Sequence, residues 1–426
     1  VSTLIRATVF HTPESPFAGE GLKHLEDGAV VFDKTILAVG DYATLAPQYP
    51  EAKQLDMRGS FLLPGLVDTH VHFPQIPVIG AMGLRLLEWL QTRTLPAEEQ
   101  LADLSYAREQ ARVFLRQLLR NGTTTALVFG AHHPGAMTVF FEEAAASGLR
   151  IASGLVLGDR HLSEALHTTP ERAYQESLAL AQRWHNVGRL RYAITPRFAL
   201  SCSDDMLAVC QRLMAALPDA LLTTHINESP AEISTVLKLF AGARDYLETY
   251  ERHQLVTERS VFAHNVHVYD RELEVLAQQR ASIAHCPSSN MFIGSGLFDM
   301  RRHLRFGVRF ALGSDVGGGT GFSILKEGLM AYQGQMLHED GVLLSAAHLL
   351  YLATQAGAEA LQLGREIGSL EVGKAADLLL LTPPENSTLA ATLKYSPSAE
   401  AALASIFTLA REDCVARVYV AGEQLL

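Results

Sequence analysis

Apolar and polar positions follow two rhythms along this chain. At its two ends, Thr3 to Phe10, Ala29 to Val39, Asp377 to Leu381 and Val415 to Val420 are short β-branched and apolar runs closed by Gly or Pro, which predict the strands of a small sheet. Between them, apolar runs alternate with amphipathic segments, the pattern of βα units around a parallel sheet. Eight such runs are legible: Phe61–Val67, Thr124–Phe129, Ile151–Leu157, Tyr192–Thr195, Leu221–Thr224, Ser260–Ala263, Ser282–Ala284 and Arg309–Leu312. Eight βα units close a TIM barrel, which takes about 250 residues or somewhat more. Glu98–Arg120 places Leu101, Leu104, Ala107, Ala111, Phe114, Leu115 and Leu118 close to a helical period and ends at Asn121-Gly122, a C-cap signal. The expected fold is α/β: a TIM (β/α)8 barrel over residues 59–365, interrupting a small β-sandwich-like domain that residues 1–58 and 366–426 build together.

Length agrees with this division, since 426 residues at about 150 per domain would otherwise suggest two or three separate domains. Charge narrows the function. With 35 Lys plus Arg against 46 Asp plus Glu the net charge is −11, and no broad positive field exists to hold a phosphate backbone, so nucleic-acid binding is excluded as the main task. Every long apolar stretch is broken by charge or Gly before the roughly 18 residues needed to cross a bilayer, so no membrane partner is expected. Cys202, Cys210, Cys286 and Cys414 show no paired-motif spacing, and no basic-then-apolar leader follows Val1. A soluble protein of the reducing cytoplasm is the expectation.

The unusual count is histidine, at 17. Residues able to bind metal stand just after five of the eight runs. The first run leads through Pro64-Gly-Leu-Val-Asp-Thr-His70-Val-His72, and because residues i and i+2 on a strand share a face, His70 and His72 can present two imidazoles to one cation. The fifth run ends at His225, the sixth at His264, the seventh at His285 and the eighth at Asp315, within Leu312-Gly-Ser-Asp315-Val-Gly-Gly-Gly-Thr320. A TIM barrel draws its catalytic groups from the C-terminal ends of several strands. One histidine at a strand end is more often structural than a ligand, but five strand ends with the same habit are hard to attribute to chance. His11, His24, His161, His167, His185, His253, His303, His338 and His348 read as surface or packing residues; His132, His133 and His267, just beyond strand ends, can line a pocket without touching metal.

Imidazole nitrogens with one carboxylate suit Zn2+ or Fe2+ rather than the oxygen-seeking Mg2+ or Ca2+, and Zn2+ is the default. Two-metal barrels generally need an anionic bridge, often a modified lysine on the fourth strand, and this chain has no lysine between Lys53 and Lys238, so a single ion is expected. One ion leaves an open coordination position, where a water whose pKa is lowered to about 7 supplies hydroxide. A nitrogen leaving group must be protonated as it departs, and His225-Ile-Asn-Glu228 places a carboxylate three residues past a candidate ligand. Glu228 is therefore the expected proton shuttle. Asp315 can bind metal and also take the proton of the attacking water, contributions typically worth about 10²–10⁴ in rate.

These residues resemble a family. The Pro-Gly-Leu-Val-Asp-Thr-His-Val-His opening, the isolated His225 and His264, and Gly313-Ser-Asp315 resemble the mononuclear branch of the amidohydrolase superfamily. Longer strings narrow the resemblance to the guanine deaminase family: Thr69-His-Val-His-Phe-Pro-Gln75, Leu87-Glu-Trp-Leu90, Thr195-Pro-Arg-Phe198 followed by Ser201-Cys202, His225-Ile-Asn-Glu228-Ser, and His285-Cys-Pro-Ser-Ser-Asn290. It extends from about Gly65 to Gly318 and more loosely to Lys374-Ala-Ala-Asp377.

The resemblance implies one Zn2+ per subunit, with Fe2+ the alternative, held by His70, His72, His225 and Asp315. His264 stands beside the set, helping to orient the hydroxide and touching substrate. Arg197 would bind the purine O6 carbonyl, Gln75 another polar edge, and Phe198 and Trp89 would pack on the ring faces. The implied reaction, on a C–N bond of a cyclic amidine, is attack of metal-bound hydroxide at C2, ring-nitrogen protonation by Glu228 and loss of ammonia to give xanthine. A homodimer, a place in purine catabolism and a lid over Ile76–Thr94 complete the expectation. The nucleotide-editing zinc deaminases use a Pro-Cys-x-x-Cys pair, and Cys286-Pro-Ser-Ser offers no second cysteine. Two rivals remain: a deaminase or chlorohydrolase of the same superfamily acting on cytosine, an adenosine derivative or a triazine, and a catalytically silent scaffold barrel.

Overall fold

The structure, a computed structural model, describes residues 2–426. Strands β1 (Thr3–His11), β2 (Lys23–Phe32), β3 (Ile36–Asp41) and β4 (Lys53–Pro64) open the chain. Then come the barrel strands: β5 (Leu66–His72), β6 (Thr123–Phe129), β7 (Arg150–Gly154), β8 (Val156–Leu157), β9 (Leu190–Pro196), β10 (Leu221–Ile226), β11 (Ser260–His264), β12 (Ser282–His285) and β13 (Arg309–Leu312). The chain returns to the first sheet with β14 (Leu378–Leu381), β15 (Val415–Val420) and β16 (Glu423–Gln424).

The terminal sheet has seven strands in the order β16-β15-β14-β4-β1-β2-β3. Because side chains alternate across a strand, neighbours Leu4 and Ile5 on β1 enter different apolar clusters: Leu4 packs with Ala29, Val31 and Leu45, and Ile5 with Val30, Phe32, Leu62 and Leu378. The barrel strands run parallel in the order β5-β6-β7-β9-β10-β11-β12-β13, with the short β8 paired to β9 beyond the end of β7. The barrel closes where the Thr69 hydroxyl donates to the Leu312 carbonyl (2.8 Å), Asp315 N–H to His70 O (2.8 Å) and His72 N–H to Val316 O (3.1 Å). Val67, Leu127, Ala193, Leu221, Val261, Ala263 and Ala284 fill its interior, so catalytic groups can only stand above this plug, at the strand ends.

Eight βα units and a sheet made by both termini are what the hydrophobic rhythm predicts, and β13 matches its run residue for residue. Four assignments differ. The run Phe61–Val67 is two strands: Phe61–Pro64 ends β4 in the terminal sheet and Leu66 begins β5 in the barrel, so the expected boundary at 59 falls inside β4. The break is at Gly65, where any Cβ would lie 2.2 Å from Thr124 Oγ1. The run Ile151–Leu157 likewise splits into β7 and β8.

Beyond residue 366, the helices Thr388–Leu393 and Ala399–Leu409 join the barrel rather than the terminal sheet, sharing its core through Leu389, Leu403, Ile406 and Phe407. The reason is complementary shape, since Phe407 fills the space left by the missing side chain of Gly328. Finally, the segment expected to be helical from Glu98 starts its long helix at Leu104, capped by Asp103, whose carboxylate accepts from the N–H groups of Ser105 and Tyr106. Leu104, expected in the core, is 48% exposed. Glu98 belongs instead to the preceding short helix Leu95–Glu99 and is buried.

Candidate metal centre

The strand ends converge. His70 and His72 close β5, His225 lies near the end of β10, His264 ends β11, and Asp315 stands three residues past β13; all five are buried. His72 Nε2 is 3.1 Å from His70 Nε2 and 3.3 Å from His225 Nε2. Asp315 Oδ1 is 3.3 Å from His70 Nε2 and 3.2 Å from His72 Nε2. Four donors each about 2.0–2.1 Å from one tetrahedral ion lie about 3.3 Å apart, so His70, His72, His225 and Asp315 have the spacing of a single small-ion site. A wider set replaces His72 with His264, with ligand atoms from His70, His225, His264 and Asp315 all within 4.8 Å of one another. In that wider set His264 Nε2 is 3.8 Å from Asp315 Oδ2, and it also lies 3.5 Å from Glu228 Oε2.

The chemistry of the donors fits a cation. The Nδ1 of His225 donates to the Arg197 carbonyl (2.5 Å), which leaves its Nε2 lone pair facing the cluster. Burial pushes the His70 imidazole below its ordinary pKa and His72 down to about 4; His225 falls further, through burial and then through His70 and His72. Each of these shifts favours the neutral ring, the form in which an imidazole binds metal. Burial opposes the charge on Asp315, but the imidazoles of His70 and His72 override it and hold the carboxyl well below its usual range. The strand ends carry strain as well: Asn227 (φ 50), His264 (φ 75), Asn265 (φ 49) and Asp315 (φ 47) occupy the left-handed region without being glycine. Such conformations persist where the surroundings hold them. Here Asn265 N–H donates to Ile226 O (3.0 Å), and the Asp68 carboxylate accepts from the N–H groups of His70 (3.2 Å) and Ser314 (3.0 Å), tying β5 to the loop that carries Asp315.

Around the cluster lies a cavity lined by His72, Gln75, Leu86, Trp89, Arg197, Phe198, His225, Glu228, His264, Ile293 and Asp315. Every residue expected to touch substrate is there. Glu228 accepts a hydrogen bond from Ser295 (3.2 Å), and burial, followed by the nearby Asp315 charge, pushes its carboxyl well above the ordinary range. Gln75 Nε2 sits 3.0 Å from His72 Nδ1, and Gln75 Oε1 accepts from Gly317 N–H (3.1 Å). The Trp89 ring closes the outer side with Leu86 and Ile293, and its buried indole N–H has no partner among the described residues. A second cavity opens around Arg150, Arg189 and Arg191 near the N-terminal ends of the barrel strands and contains none of these groups.

The structure leaves other expected residues outside. His132, His133 and His267 are not among the lining residues; His132 stands behind Arg197, His133 is half-buried, and His267 bonds the Ser295 carbonyl (2.7 Å). His285, the seventh strand end, stacks on Phe298 at 4.4 Å. Three contributors carry no local signal in the sequence: Ser295, Glu232, which accepts the Glu228 N–H (3.0 Å), and Glu98, whose carboxylate meets both Gln75 and Arg197. Asn290, within a string quoted above, holds His264 Nδ1 at 2.9 Å.

Comparison with known proteins gives a consistent result. The amidohydrolase family matches residues 61–425. A probable guanine deaminase of Deinococcus radiodurans is 54% identical, over 98% of this chain and 97% of that protein. Among solved structures, the guanine deaminase of E. coli superposes with a TM-score of 0.94 at 36% identity, covering 100% of this chain and 99% of the other, and that of Bradyrhizobium japonicum with 0.95 at 33% identity over the same shares.

Proposed function

The chain belongs to the amidohydrolase family, and from that premise we propose that it converts guanine and water to xanthine and ammonia. One observation carries the reading: a His/Asp cluster, the Glu228 carboxyl and a wall made of Arg197, Gln75, Phe198 and Trp89 meet in a single buried cavity. His70, His72, His225 and Asp315 hold one ion in this reading, Zn2+ before Fe2+ on donor type. When bound, that ion supplies an activated water at neutral pH.

The protein's own groups do the rest. Guanine is flat, uncharged and rich in donors and acceptors, and it lies between Phe198 and Trp89. Arg197 uses Nη1 on Glu98 and keeps its other donors for the O6 carbonyl. Gln75 reads another polar edge of the ring. Asp315 takes the proton that the attacking water loses, and His264, 3.5 Å from Glu228, orients the attacking oxygen. Glu228 gives its proton to the ring nitrogen beside C2, and the proton held by Asp315 goes to the departing amine. The C2–N bond then breaks with ammonia as the leaving group, and the water oxygen stays on C2 as the carbonyl, its second proton returning to Glu228.

The reading extends to a cytoplasmic homodimer in purine catabolism that binds neither nucleic acid nor membrane. A net charge of −11 supports the first exclusion, and among the described residues no helix is long and apolar enough to cross a membrane. One assay tests the core of it: ammonia release from guanine, cytosine, adenine and melamine side by side. Guanine should dominate, and Arg197→Ala should lower its kcat/KM by about 10- to 100-fold, the size of a lost charge-assisted hydrogen bond. Unchanged turnover of guanine by Arg197→Ala would overturn the assignment, and freshly purified protein without bound metal would favour the silent scaffold.

A further inference from the structure

Glu98 is 2% exposed, and its two carboxylate oxygens have separate tasks. Oε2 accepts from Arg197 Nη1 at 2.6 Å, and Oε1 accepts from Gln75 Nε2 at 2.9 Å. His132 Nε2 approaches the same Oε2 at 3.4 Å and Arg197 Nη1 at 3.3 Å. Gln75 extends the connection inward, since its amide nitrogen is also 3.0 Å from His72 Nδ1. Arg197 and Gln75 lie on different elements, one just after β9 and the other in the turn Phe73–Val78 after β5. Among the described residues, Glu98 is the one side chain hydrogen-bonded to both. Burial works against its charge, and the Arg197 guanidinium with His132 overrides burial, so the carboxylate stays ionised well below its usual range.

We infer that Glu98 is a positioning residue for the deamination: it fixes the distance between the arm that grips the purine carbonyl and the amide that stands against the metal cluster. The inference rests on the role given above to Arg197. Its physical basis is the acceptor count. A carboxylate offers two acceptor oxygens, and both of its partners are donors. An amide offers one acceptor and one donor, so Gln at this position sets a donor against a donor whichever way it turns. One of the two readers must then move, and long, rotamer-rich Arg and Gln side chains lose their arrangement when an anchor goes.

The test compares two ligands. Guanine carries the 6-oxo group; 2-aminopurine keeps the same C2 amino group and lacks it. In the metal-loaded protein, Glu98→Gln should lower kcat/KM for guanine by about 100-fold, the scale of a 1 Å misplacement. 2-Aminopurine, followed as substrate or as competitive inhibitor, should suffer much less, so the preference for guanine shrinks by about tenfold or more. Metal content should equal that of the unaltered protein. Glu98→Asp keeps both acceptors on a shorter stem and should fall between the two; it also supplies the same ratio if Glu98→Gln does not fold. An equal loss on both ligands, or none on either, overturns the inference. Arg197→Ala run alongside separates the two ideas. If it leaves the preference intact, the reading of Arg197 fails. If it collapses the preference and the Glu98 variants do not, the role of Glu98 fails.

Discussion

Two buried carboxyl groups serve the same cavity, Glu228 from its lining and Glu98 from behind Arg197 and Gln75, and the protein treats them in opposite ways. Glu98 meets an arginine, an amide and a histidine, and its charge is held in place. Glu228 has one side-chain donor, Ser295, stands near the like charge of Asp315, and is pushed toward its protonated form. The first environment suits a fixture and the second suits a group that must release and regain a proton. Environments that drive two carboxyls apart in this way separate their roles.

Several experiments can break or sharpen that contrast, and the largest effect comes from the metal. Dialysis against a chelator should abolish turnover, and Zn2+ should restore it, while calorimetry should still detect guanine bound to the metal-free protein, because the Glu98 wall needs no ion. Loss of binding together with turnover would make the two walls one unit. Next in size, Glu228→Gln should reduce kcat by about 10²–10⁴ with little change in guanine affinity. Near-normal turnover would remove Glu228 from proton transfer.

Stability should divide the same two residues, measured on metal-free protein where no cation offsets the cavity charges. The folded-state pKa of Glu98 is depressed, so its contribution is present above the unfolded value of about 4.3 and is lost as pH falls through the folded value; Glu98→Gln should lower the melting temperature at pH 7. The pKa of Glu228 is raised, so its contribution is present below the unfolded value and is lost as pH rises through the folded one; Glu228→Gln should raise the melting temperature at pH 8 and lose that gain in acid. Two shifts of the same sign at neutral pH would refute the contrast. The smallest effect belongs to Ser295→Ala. Its hydroxyl is the donor that draws the Glu228 pKa down, so without it the basic limb of the kcat/KM profile, where Glu228 loses the proton it must donate, should move to higher pH.

Glu98 also marks where sequence reasoning stops. His70, His72, His225, His264 and Asp315 are legible because each ends a strand or follows one closely, and the barrel rule collects strand ends in one place. Glu98 sits in Pro96-Ala-Glu-Glu-Gln100, a polar string that reads as the exposed start of an amphipathic helix. Its partners are 23 and 99 residues away, and no periodicity within the segment reports a contact at that range. The split at Gly65 was hidden for a related reason. Phe61–Val67 is apolar throughout, because one half is buried in the terminal sheet and the other in the barrel, and only the close approach of Thr124 divides them. The helices after 388 follow the same rule: their core is completed by Gly328, some 80 residues upstream of Phe407.

That junction has a consequence for how the chain comes into being. β4 passes through Gly65 directly into the strand bearing His70 and His72, and it lies between β1 and β14, the latter near the other end of the chain. Asp377 O accepts the Gly65 N–H (2.9 Å), while the Asp377 carboxylate takes Arg150 of β7 (2.6 Å) and the Ala421 N–H (2.8 Å). During synthesis His70 and His72 leave the ribosome some 300 residues before β14. A chain that ends before β14 therefore carries the His-x-His pair without the Asp377 contact to Gly65, with β1 alone beside β4.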